Sequence, residues 1–139
     1  MTKISLGVIH PGSDLHLIVR LDDQVVWQTK EAQASTINLD LADDDGSHVL
    51  EIAMSGKQPH HTKIDSTGQI TQDVVVTIHD VTFDDINLGH VLTEKAVYNH
   101  NFNNTTDRLE DKFYGTMGCN GTVRLEFTTP IYLWLLENM

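Results

Sequence analysis

Apolar residues alternate with polar ones along most of the chain, and that period predicts strands. Ile4, Leu6 and Val8 alternate with Ser5 and Gly7, and the run stops at His10-Pro11-Gly12-Ser13-Asp14, a turn by composition. Leu15, Leu17, Val19 and Leu21 share the next face, and Asp22-Asp23-Gln24 turns the chain into Val25-Val26-Trp27, which predicts a hairpin. Ile37, Leu39 and Leu41 alternate up to Asp43-Asp44-Asp45-Gly46, and Leu50, Ile52 and Met54 alternate beyond it. Asp-Gly between two alternating runs predicts a second hairpin. Thr62–Ile64 and Gln69–Thr71 can pair around Asp65-Ser66-Thr67-Gly68. Val74, Val76 and Ile78 share one parity, whereas Val81 and Phe83 take the other, so a bulge is predicted near His79-Asp80. A strand is expected through Val91 to Tyr98, and residues 99–121 read as loop, with one or two helical turns over Thr106–Phe113. Val123, Leu125 and Phe127 alternate again, and the apolar run Ile131-Tyr132-Leu133-Trp134-Leu135-Leu136 reads as a strand covered on both faces. Eight or nine short strands without a linker predict an all-β fold: one antiparallel β-sandwich of jelly-roll type over residues 1–139, with one short helical segment at most.

Charge narrows the partners. Twenty Asp and Glu face nine Lys and Arg, a formal net charge of −11 on 139 residues. Nucleic acid and anionic membrane both require clustered Lys and Arg, so neither is expected. The acid excess is compatible with metal binding, a basic partner or solubility. Fourteen of the acids are Asp, and many stand in predicted turns. No run approaches the roughly 20 apolar residues of a membrane helix, and the start is too weakly apolar for a signal peptide. Cys119 is the only cysteine, so an internal disulfide is excluded.

No enzyme motif appears. Gly-x-Ser-x-Gly, the phosphate-cradling Gly-x-x-x-x-Gly-Lys and His-Glu-x-x-His are all missing. Cys119 stands in Gly118-Cys119-Asn120-Gly121 with no flanking base, and reads as a turn residue. The expectation is therefore a non-enzymatic protein. Oxygen ligands for calcium cluster at Asp84, Asp85 and Asn87, and more weakly at Asp43–Asp45; the latter is not an EF-hand, because Met54 holds the twelfth position. The cofactor expectation is thus none, or Ca2+ at Asp84, Asp85 and Asn87. The eight histidines lack zinc-ligand spacing and are expected at the surface. Sugar recognition needs flat aromatic rings beside amide and carboxylate groups. Tyr98, Asn99, His100, Asn101, Asn103 and Tyr114 supply that mixture, on a loop of the kind a rigid scaffold presents. Tyr132 and Trp134 are the candidates for an interface.

The blocks Phe113–Met139 and Asp73–Leu88, the latter with Val-Thr-Phe-Asp-Asp-Ile-Asn-Leu, resemble small structural proteins of large contractile-tailed phages, cyanophages especially. Such proteins are similar to carbohydrate-binding modules, calcium-dependent ones included. The resemblance implies a virion-associated decoration or adhesion protein, made in the host cytoplasm. Its implied partners are other virion proteins or itself, with host-surface polysaccharide as a second target. A calcium-dependent carbohydrate-binding module is the alternative.

Overall fold

The computed structural model describes residues 2–12, 14–42, 44–56, 62–100, 109–118 and 120–138. In chain order its strands begin with β1 (Thr2–His10), β2 (His16–Leu21), β3 (Gln24–Thr29), β4 (Gln33–Leu41) and β5 (Ser47–Ser55). Then come β6 (Thr62–Ile64), β7 (Ile70–Asp73), β8 (Val76–Phe83), β9 (Ile86–Asn87) and the helix α1 (His90–Lys95). The chain closes with β10 (Val97–His100), β11 (Leu109–Lys112), β12 (Thr116–Met117), β13 (Gly121–Thr128) and the helix α2 (Ile131–Asn138).

Apart from β6 and β7, which pair with each other, these strands form an antiparallel sandwich. One sheet runs β12-β8-β1-β4, with β9 also on β8, and the other runs β11-β10-β13-β5-β2-β3. The alternation explains the layers, because every second residue of a strand faces the same side. Ile4, Leu6 and Val8 of one sheet meet Leu17, Val19, Ile52, Val123 and Leu125 of the other in one apolar cluster. Phe83 and Phe127 anchor it edge to face, with ring centroids 4.9 Å apart. The predicted bulge is present: Ser5 pairs with Thr82 and Gly7 with His79, so β8 gains a residue there. That extra residue turns Val81 and Phe83 inward alongside Val76 and Ile78. The β2–β3 hairpin and the small β6–β7 hairpin also form as the alternation predicts.

Other expectations are corrected. β4 and β5 are not a hairpin, since β4 pairs with β1 in one sheet and β5 with β2 and β13 in the other. A turn signal is local, and it does not decide whether the chain folds back beside its own strand or crosses between sheets. The run after Pro130 is the helix α2, not a strand. An apolar stretch without alternation fits either element. Here Ile131, Trp134 and Leu135, spaced i, i+3 and i+4, cover the end of the core. Val91 likewise lies in α1, and Leu109 starts strand β11 rather than a helical turn; Thr106 lies outside the described residues. Among the described residues, two helices thus replace the single short segment expected. Short segments count as strands too, so the described residues hold thirteen rather than eight or nine. No helix among the described residues is long and apolar enough to cross a membrane.

Candidate functional site

The site is built at the end of the sandwich where β13 begins. Gly121 admits β10 there, because a Cβ at this position would collide with the Asn99 carbonyl oxygen. β10 then pairs with β13 on one side and β11 on the other. Alternation along β10 divides the predicted sugar residues between two faces. Tyr98 and His100 point to one face, and Asn99 to the other, level with Glu110 and Thr122.

On the first face, the His100 and Tyr98 rings lie 4.8 Å apart, and Tyr98 meets Phe113 edge to face at 6.1 Å. His100 Nε2 and Asp111 Oδ2 share a hydrogen bond of 2.6 Å. β11 supplies Asp111 diagonally, two residues from the Leu109 that pairs with His100. Beyond β11, Phe113 turns into the core while Tyr114 is 78% exposed. Gly115, with φ of 101°, lets the backbone reverse there, and its carbonyl accepts the Ile78 N–H. α1 brings Glu94 within 3.3 Å of Lys112. The result is a depression of about 620 Å³ lined by Tyr98, His100, Asp111, Lys112, Glu94 and Tyr114, among others. A second depression of about 620 Å³ lies on the other face, among Asn99, Glu110, Thr122, Glu51 and Arg124. Arg124 there lies 3.2 Å from Glu126 and 3.8 Å from Glu51.

The structure therefore brings Tyr98, His100 and Tyr114 together and sets Asn99 behind them. Asn101 and Asn103 lie outside the described residues, as does Cys119. Glu94, Asp111 and Lys112 are the lining residues that sequence reasoning missed. Their proximity depends on the β10–β11 register, in a region read as loop.

Asp84 and Asp85 form the two-residue turn between β8 and β9, both with positive φ. Positive φ at both central positions is the type I′ geometry that twists with the strands. Asp84 Oδ1 accepts the Lys3 N–H at 2.8 Å, and the Asp84 N–H donates to the Lys3 carbonyl at 2.7 Å. Asn87 Oδ1 accepts the Gly89 N–H at the start of α1. The Asp22-Asp23 turn repeats the device, with Asp22 bonded both ways to Val49. Asp84 and Asp22 thus each clip a hairpin turn to the neighbouring strand. Among the described residues, no group of three or more His, Cys, Asp or Glu side chains is placed to hold a metal ion.

The expectation of surface histidines is corrected at three positions, since His10, His48 and His100 are buried. His10 sits in the first turn, with Nε2 bonded to the Leu15 carbonyl and Nδ1 accepting the Gly12 N–H. Burial holds its pKa below the usual histidine value, against the Leu15 bond. His48 lies at the far end of the sandwich from His100. Its Nδ1 meets Asp22 Oδ2 at 2.6 Å and its Nε2 meets Asp44 Oδ1 at 2.8 Å. Burial opposes charge on His48, yet the hydrogen bonds to the two carboxylates outweigh it and raise its pKa. The same contact with His48 lowers the pKa of Asp44, which also accepts the Thr129 hydroxyl at 3.1 Å.

The interface pair also divides. Trp134 is 7% exposed, with its ring stacked on Phe83 and edge-on to Phe127, so it belongs to the core. Tyr132 is 59% exposed and shares the outer face of α2 with Leu133 and Leu136, at 47% and 72%. Helical spacing puts these three side by side.

Comparison with protein-family models, curated proteins and solved structures finds no match.

Proposed function

We propose that the chain is a non-enzymatic, virion-associated decoration or adhesion protein of a tailed phage, with a jelly-roll sandwich as its scaffold. It docks on another virion protein through the outer face of α2. The carrying observation is the contrast within that helix. Ile131, Trp134 and Leu135 are fixed in the core, while Tyr132, Leu133 and Leu136 face solvent together. Exposed adjoining apolar side chains favour a protein contact, and a helix held from behind orders them before binding. Repetition over many copies supplies avidity. Washed, purified virions are expected to contain the protein stoichiometrically, and Leu136→Glu to strip it from them. Absence from washed particles overturns the reading.

A second reading rests on the depression at β10 and β11, whose size is in the range of small-ligand sites. Its rings and polar groups suit a saccharide, offering a stacking face beside hydrogen-bond partners. Calcium at Asp84, Asp85 and Asn87 belongs to this reading. Calorimetry against neutral and acidic polysaccharides, with and without chelator, tests both parts. Heat that vanishes with chelator supports a calcium-dependent module, and no heat in any condition removes it.

A further inference from the structure

Every open sheet carries edge strands whose unpaired N–H and C=O groups invite another strand, and proteins blunt them with brevity, charge, proline or bulges. Three of the terminal edges here are blunted. β12 has two residues. β11 has four and carries Glu110, Asp111 and Lys112. β3 is bulged, because Val19 pairs with Trp27 and Arg20 with Val25, leaving Val26 extra.

β4 is different. It runs nine residues, Gln-Ala-Ser-Thr-Ile-Asn-Leu-Asp-Leu, in unbroken register with β1. It contains no proline, glycine or lysine, and Asp40 is its only charge. Among the described residues it ends its sheet. The adjoining edge strand β3, three residues before it, exposes Val25 and Val26 along the same side of the sandwich.

We propose that β4 is the docking edge for a second copy of this chain, paired antiparallel about Ile37. The inference stands on the edge strands and is independent of what α2 binds. The sequence of β4 is self-complementary in that register. Ile37 faces the second copy's Ile37, Thr36 faces its Asn38, and Asp40 faces its Ala34. No charge meets a like charge, and Thr opposite Asn offers a cross-strand hydrogen bond. Half-buried Leu39 and Leu41 gain cover from the second copy's Ser35 and Gln33. Two bodies of charge −11 repel, and a strand with one charge in nine lets them approach closely. The same repulsion fixes the salt dependence: added salt screens it and tightens the dimer, whereas a basic partner would be released.

Sedimentation equilibrium of the full chain, at low and high salt across the micromolar-to-millimolar range, tests this. A reversible dimer that tightens with salt is expected. T36E/N38E and T36K/N38K each set like charges opposite one another and are expected to weaken self-association at least about tenfold. Mixing the two variants is expected to restore a heterodimer, because Lys then faces Glu. Should either variant lose its fold, concentration-dependent amide protection confined to β4 in the unsubstituted chain reads the same contact. A monomer throughout, a dimer loosened by salt, or a dimer indifferent to both variants without β4 protection overturns the proposal.

Discussion

The two ends of β13 carry the same chemical pair, a buried histidine against an aspartate, put to opposite ends. At Phe127, His48 sits between Asp22 and Asp44 and leans on the Phe127 ring at 5.8 Å. Its partners come from the β2–β3 turn and the β4–β5 crossover, and Thr129 joins them ahead of α2 through Asp44. Both ring nitrogens are engaged, and three connections are fastened together. At Gly121, His100 meets Asp111 at the edge of two depressions, with Tyr114 standing out into solvent. A histidine held by two carboxylates from separate loops acts as a clasp. One held at the rim of a hollow ties two neighbouring strands of a single sheet.

The comparison can be broken from the clasp end most severely. Trp134→Ala should cost about 3–5 kcal/mol in a denaturant melt, by opening a cavity beside Phe83 and Phe127. Gly121→Ala should cost about 1–3 kcal/mol, because β10 must move away from the added methyl. Amide exchange should then rise in β10 and β11 while β5 stays protected.

His48→Gln should cost on the order of 1 kcal/mol near neutral pH. Its pH profile is more telling. The folded pKa of His48 is raised, so its contribution is complete below the unfolded histidine pKa and is lost as pH rises through the folded value. Asp44 is lowered, so its contribution is present above the unfolded carboxylate value and fades as pH falls through the folded one. Stability should peak between these titrations, and His48→Gln should flatten the alkaline side. The smallest stability effect belongs to the other end. Tyr114→Ala should change stability by less than about 0.5 kcal/mol. If the depression binds saccharide, that variant should still lose affinity in calorimetry.

Alternation made the sandwich legible, together with the bulge that reverses the parity of β8, because both are recorded within a few consecutive residues. α2 was not, since a run apolar on every side has no phase to read. The crossing at Asp44–Gly46 was hidden for a related reason: the turn residues suit both a hairpin and a change of sheet. The clasp was out of reach because Asp22 and His48 are 26 positions apart, and Asp44 and Thr129 85 apart. Of the sugar set, Tyr98, His100 and Tyr114 were gathered by composition, but their separation from Asn99 needed the β10 register.

Asp14, Asp22, Asp23, Asp45, Asp80, Asp84 and Asp85 all adopt positive φ, and no other residue type except glycine does so among the described residues. Asparagine tolerates that conformation as well as aspartate, and its amide oxygen accepts the same backbone hydrogen bonds. Shape and electrical load are therefore separable in this molecule. Amide replacements at turns outside the clasp would discharge much of the surface while leaving the backbone path intact, so the protein's charge can be retuned almost independently of its fold.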